Sequence, residues 1–182
     1  FILAAPSSAV IHKESLIKGI EILESWGLRA RKNNIIGRKF GYLAGDDQKR
    51  YEELHPKQKA PLTIFARGGW GSARLLERSQ PWRKGWMVGF SDVTSLLLSR
   101  LNQGFDGCIH GPLVTSLATE PSWSQERLKS ILFGDLIPDL YGESWNRGVA
   151  VGPVIAANLT VLSHLIGTKH MPKMEGAILI LE

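Results

Sequence analysis

Residues 86–101 contain the sharpest change of pattern in the chain, from an apolar strand to an amphipathic helix. The run Trp-Met-Val-Gly-Phe is followed by Ser91 and Asp92, and a helical pattern then reaches Leu101. A tight turn from a strand into a helix holds a serine hydroxyl clear of the backbone and close to the free N–H groups of the helix. Gly89, two residues before the serine, leaves room for that turn. Ser91 is therefore a candidate nucleophile.

The same segment has a second interpretation. Val93 stands where a complete G-x-S-x-G elbow has its last glycine, and a serine before an apolar helix commonly serves only as its N-cap. Asp92 suits the first helical turn, where the helix dipole favours an acidic side chain. If Ser91 is a nucleophile, the functional part of Asp92 is its backbone N–H, because the residue after the nucleophile commonly supplies one oxyanion donor.

A glycine-rich turn follows an earlier strand pattern. Residues 61–76 read as a short strand, the turn Arg67-Gly68-Gly69-Trp70-Gly71 and a helix. Backbone N–H groups in such a turn can bind an anion or an oxyanion. The G-x-x-x-x-G-K-[ST] pattern of a phosphate loop is absent. The glycines could equally serve only the positive φ angles of an ordinary turn.

Strand patterns alternate with helical patterns along the chain. The strands are expected at 1–5, 62–66, 86–90 and 107–110, and the helices near 12–26, 47–54, 71–79, 92–102 and 124–132. This alternation predicts an α/β fold, with a mostly parallel, Rossmann-like sheet covered by helices on both faces. Ligands of such sheets bind beyond the carboxyl ends of the strands, where Ser91, the 67–69 turn and Ala5-Pro6 fall.

The stretch from Pro138 to Gly152 is rich in glycine, proline and polar residues, which is typical of a linker. We therefore expect an N-terminal α/β domain over residues 1–140, a linker over 141–151 and the start of a C-terminal domain over 152–182.

Composition excludes several classes of protein. With 182 residues, of which 43% are apolar and 21% charged, the chain can bury a sizeable core. The net charge is +5, but Lys and Arg are spread along the chain, so nucleic acid is not an expected partner. The apolar runs are far shorter than the roughly 20 residues that span a bilayer, and no membrane contact is expected.

The expected compartment is the cytoplasm. Cys108 is the single cysteine, which excludes an intrachain disulfide and favours a reducing environment. The apolar residues that begin the chain have no basic segment before them, unlike a secretory signal. The histidines lack the spacing of metal ligands, so no metal site is expected.

Six segments in one order resemble a known family. They are Gly41-Tyr-Leu-Ala-Gly-Asp-Asp-x-x-Arg50, Ala66-Arg-Gly-Gly-Trp-Gly-Ser-x-Arg-Leu-Leu76, Val88-Gly-Phe-Ser-Asp-Val-Thr94, His110-Gly-Pro112, Asn158-Leu-Thr-Val-Leu-x-x-Leu-Ile-Gly-Thr168 and Gly176-Ala-Ile-Leu-Ile-Leu-Glu182. Together they resemble the serine LD-carboxypeptidase family, which includes muramoyl tetrapeptide carboxypeptidases and microcin-immunity acyl hydrolases. The similarity extends over essentially the whole chain.

The resemblance implies a Ser-His-Glu triad with the serine on the first domain and the other two residues on the second. Ser91 matches the nucleophile, and Glu182 matches the glutamate that orients the base. None of the five histidines matches the family's base, which lies beyond the glutamate-bearing strand. We therefore expect the base to lie in a further C-terminal segment of a longer protein. His110 is expected at a strand end near the site.

The resemblance also implies a function. It predicts a serine peptidase that cleaves the L,D amide bond and releases terminal D-alanine from murein tetrapeptide during peptidoglycan recycling, without a cofactor. The oxyanion would be bound by the N–H of Asp92 and by one N–H of the 68–69 turn, where Gly69 is preferred and Gly68 is the alternative. The substrate would be bound by Arg67, Gly68 and Trp70. Arg67 could equally form a structural salt bridge, and Trp70 could simply pack on the surface.

Three further expectations accompany this function. The resemblance implies that two copies could form a homodimer. A microcin-type acyl-nucleotide amide hydrolase is an alternative activity of the same class. A non-catalytic ligand-binding domain on the same scaffold is an alternative of a different class, because function depends on the site and not on the fold.

Overall fold

The structure, a computed structural model, describes residues 1–31 and 33–182. Four strands form a parallel sheet in the order β1-β2-β3-β4, and two more form a separate parallel pair. The first four are β1 (Ile2–Ala4), β2 (Leu62–Phe65), β3 (Trp86–Gly89) and β4 (Cys108–His110), and the pair is β5 (Val154–Ala157) and β6 (Ile178–Leu181).

Six α-helices accompany the strands in the part of the chain that is described. They are α1 (Lys13–Ser25), α2 (Asp47–Leu54), α3 (Thr94–Asn102), α4 (Val114–Leu117), α5 (Ser122–Phe133) and α6 (Leu159–Leu165). Two 3-10 helices lie at Ala73–Glu77 and Ser91–Val93. Within the described ranges, no helix has the length and apolar character needed to cross a bilayer.

The sheet separates two apolar cores because successive strand residues point to opposite faces. On one face Leu3, Ile64 and Val88 pack with residues of α1, α4 and α5. On the other, Ala4, Phe65 and Met87 pack with residues of α2, α3 and α6. The apolar runs of the strands reflect this burial on both sides. The α/β fold with a parallel sheet and helices on both faces is therefore confirmed.

The predicted strands and most predicted helices lie within two residues of the observed bounds. The α-helix predicted at 71–79 is wrong, since the segment forms only the 3-10 helix Ala73–Glu77. Gly71 has φ +106°, which delays the helix, and extended backbone at Arg78 ends it. The helix predicted at 92–102 begins as the 3-10 turn at Ser91 and becomes α-helical at Thr94.

Residues 135–153 contain no helix or strand, and nearly all of their side chains are exposed. Beyond them, the segment from β5 to β6 packs on the same core as α3, through Ile155, Leu162 and Leu165. The division into domains at 1–140, 141–151 and 152–182 stays a prediction.

Candidate active site

Ser91 lies in a strained turn at the carboxyl end of β3. Its φ is +63°, and across residues 1–31 and 33–182 no other non-glycine residue has a positive φ. Phe90 before it is extended, and the 3-10 helix begins at Ser91 itself. A Cβ at Gly89 would come within 2.8 Å of the Val93 side chain, so only glycine fits there. The sharp turn from strand to helix expected from the sequence is present.

The structure does not support the interpretation of Ser91 as an N-cap. The residue lies inside the 3-10 helix, the N-cap position of α3 is Val93, and no side chain caps either helix. A non-glycine residue in this part of conformational space costs about 1–3 kcal/mol and persists where its surroundings enforce it. Such strain is concentrated at active sites.

The glycine-rich turn packs directly against this serine. A Cβ at Gly68 would lie 3.0 Å from Ser91 Cβ and 3.1 Å from its Oγ. Gly69 has φ +107°, and a Cβ there would lie 2.7 Å from Ser8 Cβ. Neither glycine N–H donates a hydrogen bond to another residue in the described chain. Gly68 therefore serves close approach to the serine, and both N–H groups are left without a partner in the described chain.

The buried side chain of Asp92 joins three loops at this edge of the sheet. Its Oδ2 accepts hydrogen bonds from Ser7 Oγ (2.6 Å) and from the Ser72 N–H (2.9 Å). Ser72 Oγ donates in turn to the Asp92 carbonyl (2.7 Å). Ser7 follows β1, Ser72 follows β2 and Asp92 follows β3, so one carboxylate fastens the loops of three strands. We call these three residues the Asp92 clamp.

The sequence did not predict that Ser7 and Ser72 hold Asp92. The available signal was the presence of small hydroxyl residues shortly after two strands whose carboxyl ends meet at one edge. That signal places the residues near the site but does not select their common acceptor.

Arg67 and Trp70 lie at the rim of the same turn. The half-buried Arg67 donates from Nη1 to the Ala9 carbonyl (2.8 Å), which anchors it to the loop after β1. The Trp70 side chain is 62% exposed, while its backbone N–H donates to Ser8 Oγ (3.2 Å). Both side chains border the glycine-rich turn, and Arg67 has no acidic partner among the described residues.

Glu182 directly follows β6 and is held by two side chains. Its Oε2 lies 3.1 Å from His110 Nε2, and its Oε1 accepts from Asn158 Nδ2 at 3.3 Å. His110 ends β4 and pairs with Gly89 of β3. The glutamate predicted to orient a base is thus brought to the end of the strand beside the Ser91 turn.

The imidazole of His110 is largely buried. Burial lowers its pKa, while the neighbouring Glu182 carboxylate acts in the opposite direction. Its Nδ1 is buried without a hydrogen-bond partner in the described part of the chain.

The sequence prediction gave Asn158 no role, although its position before a helical pattern was a signal for an N-cap. Among the described residues, no group of three His, Cys, Asp or Glu side chains could hold a metal ion.

Solved structures share this architecture. A muramoyltetrapeptide carboxypeptidase from Oxalobacter formigenes superposes with a TM-score of 0.80 at 24% identity, covering 98% of this chain and 64% of that one. An MccF-like protein from Bacillus anthracis also gives 0.80, at 18% identity, covering 98% and 65%. The microcin C7 self-immunity protein MccF in complex with aspartyl sulfamoyl adenosine gives 0.77 at 21% identity, covering 98% and 66%. These similarities establish the fold.

Sequence comparisons establish the family. The model of the LD-carboxypeptidase N-terminal domain matches residues 2–111, and that of the LD-carboxypeptidase C-terminal domain matches residues 151–182. "Putative carboxypeptidase slr1534" of Synechocystis sp. is 42% identical over 98% of this chain and 61% of the relative. The murein tetrapeptide carboxypeptidase of Pseudomonas aeruginosa is 32% identical over 99% of this chain and 64% of the relative. The chain thus spans a little over three fifths of the length of these relatives. It belongs to the LD-carboxypeptidase family.

Proposed function

We propose that this protein is a serine LD-carboxypeptidase that releases terminal D-alanine from murein tetrapeptide. The observation that carries the proposal is the strained φ of +63° at Ser91, beside a glycine-rich turn in which the Gly68 and Gly69 N–H groups have no partner in the described chain. A relative named murein tetrapeptide carboxypeptidase, 32% identical over nearly the whole chain, supports the choice of substrate.

In the proposed reaction, Ser91 Oγ attacks the carbonyl carbon of the L,D amide bond while a histidine takes its proton. The N–H groups of Asp92 and Gly69 bind the resulting oxyanion. The histidine then protonates the leaving amino group of D-alanine, and water hydrolyses the acyl-enzyme. Glu182 orients this histidine, which belongs to the segment beyond the present chain. The reaction uses no cofactor.

A carboxypeptidase must also recognise the terminal carboxylate of its substrate. Arg67 is the proposed partner, because Nη1 alone is occupied by the Ala9 carbonyl and a guanidinium carries five N–H donors. Gly68 allows the substrate to approach the nucleophile, and the exposed Trp70 lines the entrance. The proposal also keeps the predicted linker at 141–151 between an N-terminal and a C-terminal domain. It further includes a homodimer and a cytoplasmic location, as the sequence predicts.

An acyl-nucleotide amide hydrolase is the second candidate. A structure of the same fold, MccF, is described in complex with aspartyl sulfamoyl adenosine. The exposed indole of Trp70 would suit a nucleobase, because flat aromatic rings stack on bases. Assaying a murein tetrapeptide and an aminoacyl sulfamoyl nucleoside with the same protein separates the two candidates by their kcat/KM values.

The test of the proposed function compares the full-length protein with its Ser91→Ala variant. We expect D-alanine release from the tetrapeptide to fall by about 10⁴-fold or more, since the nucleophile of a triad is lost. Ser163→Ala is a control, because this serine is exposed on α6 and away from the turn. Thermal midpoints verify folding.

Two outcomes contradict the proposal. Activity retained in Ser91→Ala excludes this serine as the nucleophile. Tetrapeptide binding by the wild-type protein with no turnover of either substrate would instead identify a ligand-binding domain on the same scaffold.

A further inference from the structure

We propose that His110 is a positioning residue of this active site, whose Nε2–H fixes the Glu182 carboxylate in the orientation that the base requires. The inference rests on the proposed function. It concerns a buried histidine that the Ser-His-Glu scheme leaves without a role.

The position of the His110 ring is determined by the sheet that carries Ser91. His110 pairs with Gly89, and the N–H of Gly111 donates to the Gly89 carbonyl (3.2 Å). The ring lies edge-on to Phe90, the residue before Ser91, with 6.2 Å between ring centroids. Only 16% of the side chain is exposed. Its ring atoms are therefore fixed relative to the nucleophile.

The contacts of His110 determine which nitrogen carries the proton. An ionised carboxylate accepts hydrogen bonds but cannot donate them, so Nε2 must be the donor at 3.1 Å. The buried Nδ1 has no partner in the described chain, which suits an unprotonated nitrogen better than a second N–H. Burial favours the same neutral form by lowering the pKa of the ring.

A neutral donor suits the task of Glu182. The carboxylate must keep its negative charge, because it stabilises the imidazolium that forms when the base accepts a proton. Lysine or arginine in this position would offset that charge. A neutral imidazole restrains the direction of the carboxylate and leaves its charge in place.

Asn158 restrains the other oxygen of Glu182. Its Oδ1 accepts from the N–H of Val161 (3.1 Å) as the N-cap of α6, so its amide is itself held in one orientation. Its Nδ2 then donates to Oε1 of Glu182. His110 and Asn158 together hold one carboxylate oxygen each, and each oxygen retains a lone pair for the base.

Two substitutions separate the donor from the shape of the ring in the full-length protein. His110→Phe keeps a ring against Phe90 and removes the donor, whereas His110→Gln offers an amide N–H near the position of Nε2. We expect His110→Phe to lower kcat about tenfold to a hundredfold, by comparison with residues that orient metal ligands, whose removal costs that much. KM should stay unchanged, because His110 is not proposed to touch the substrate.

The pH profile of kcat/KM provides a readout that a purely structural role would not change. A poorly oriented Glu182 stabilises the imidazolium of the base less, so the acidic limb should move to lower pH in His110→Phe. His110→Gln should restore both kcat and the limb to within a few-fold of wild type. A wild-type kcat and profile in His110→Phe overturn the inference, as does a His110→Gln variant that is folded and as impaired as His110→Phe.

If either variant fails to fold, ¹⁵N NMR of the imidazole in the Ser91→Ala protein decides the question. We expect the neutral tautomer with the proton on Nε2, and its signals should shift in the additional variant Glu182→Gln. A proton on Nδ1 overturns the inference. The proposed function fails separately, if the wild-type protein does not release D-alanine or if its turnover does not depend on Ser91.

Discussion

Two features oppose a side chain at Gly69, which makes Gly69→Ala a test of the oxyanion site. Its φ of +107° is costly for any L-residue, by about 1–3 kcal/mol. A Cβ would also lie 2.7 Å from Ser8 Cβ and closer still to Ser8 Oγ, so the turn or the loop after β1 must move. We expect kcat for D-alanine release to fall about a hundredfold, which corresponds to about 3 kcal/mol for one oxyanion donor.

Gly27→Ala is the matched control for backbone strain. Gly27 has φ +87°, and a Cβ there meets nothing within 4 Å. We expect this variant to lower the thermal midpoint and to keep wild-type kcat. Ser8→Gly removes the atoms that a Cβ at Gly69 would meet. If Gly69→Ala lowers kcat less in the Ser8→Gly background than in the wild type, the loss of kcat is due to displacement of the turn.

Wild-type kcat in Gly69→Ala, with a fall in thermal midpoint equal to that of Gly27→Ala, would refute the assignment of Gly69 as a donor. Gly68→Ala cannot replace this test. Its methyl group would press on Ser91 Cβ and Oγ, at 3.0 and 3.1 Å, and would impair the nucleophile whichever N–H binds the oxyanion.

Three more outcomes are expected. Residues 1–182 produced alone should show no Ser91-dependent hydrolysis, because an unassisted serine hydroxyl is a poor nucleophile. Such hydrolysis would show that one of the five histidines of this chain is the base, and His110 would be the first to test. Arg50→Met should lower the free energy of unfolding by at least about 2 kcal/mol, because the buried guanidinium donates to the Pro6 and Gly71 carbonyls and each acceptor left unpaired costs about 1–3 kcal/mol. Arg74→Met, at an exposed pair with Asp47, should cost about 0–1 kcal/mol. Equal losses in urea unfolding would contradict this. Burial acts to raise the pKa of Asp47, but Arg50 and Arg74 outweigh it and lower the pKa below 3.8. The difference in free energy of unfolding between wild type and Asp47→Asn should therefore be full above pH 3.8 and disappear as the pH falls through the lowered pKa of the folded state. A difference that does not depend on pH would contradict this.

Much of the fold could be predicted because local signals and global packing agree. The helix expected at 47–54 is found at Asp47–Leu54, where Asp46 accepts a hydrogen bond from the Lys49 N–H (2.8 Å) and caps the helix. The helix expected at 71–79 failed because apolar periodicity does not report the positive φ of Gly71. A pattern of side chains predicts which face is buried, and turn geometry then decides where the helix can begin.

The partners within the site could not be predicted in the same way. Ser7 and Asp92 are 85 positions apart, and His110 and Glu182 are 72 apart. No periodicity links such pairs, and each polar side chain has many other acceptors available before the chain is folded. The family resemblance selected Ser91 and Glu182 by position in a motif, but it did not indicate which side chains hold Glu182 or Asp92.

The Asp92 clamp explains how the chain retains its strained serine. The positive φ of Ser91 costs about 1–3 kcal/mol, which an isolated turn would relieve by relaxing. Two hydrogen bonds to the Asp92 carboxylate contribute about 1.5–3 kcal/mol each, and both come from buried groups on other strands' loops. Their sum of about 3–6 kcal/mol equals or exceeds the strain, so a relaxation of the turn that broke both bonds would release no free energy. The residue directly after Ser91 thereby fixes the geometry of the turn with its side chain, while its backbone N–H stays at the helix start, where the proposed oxyanion would form.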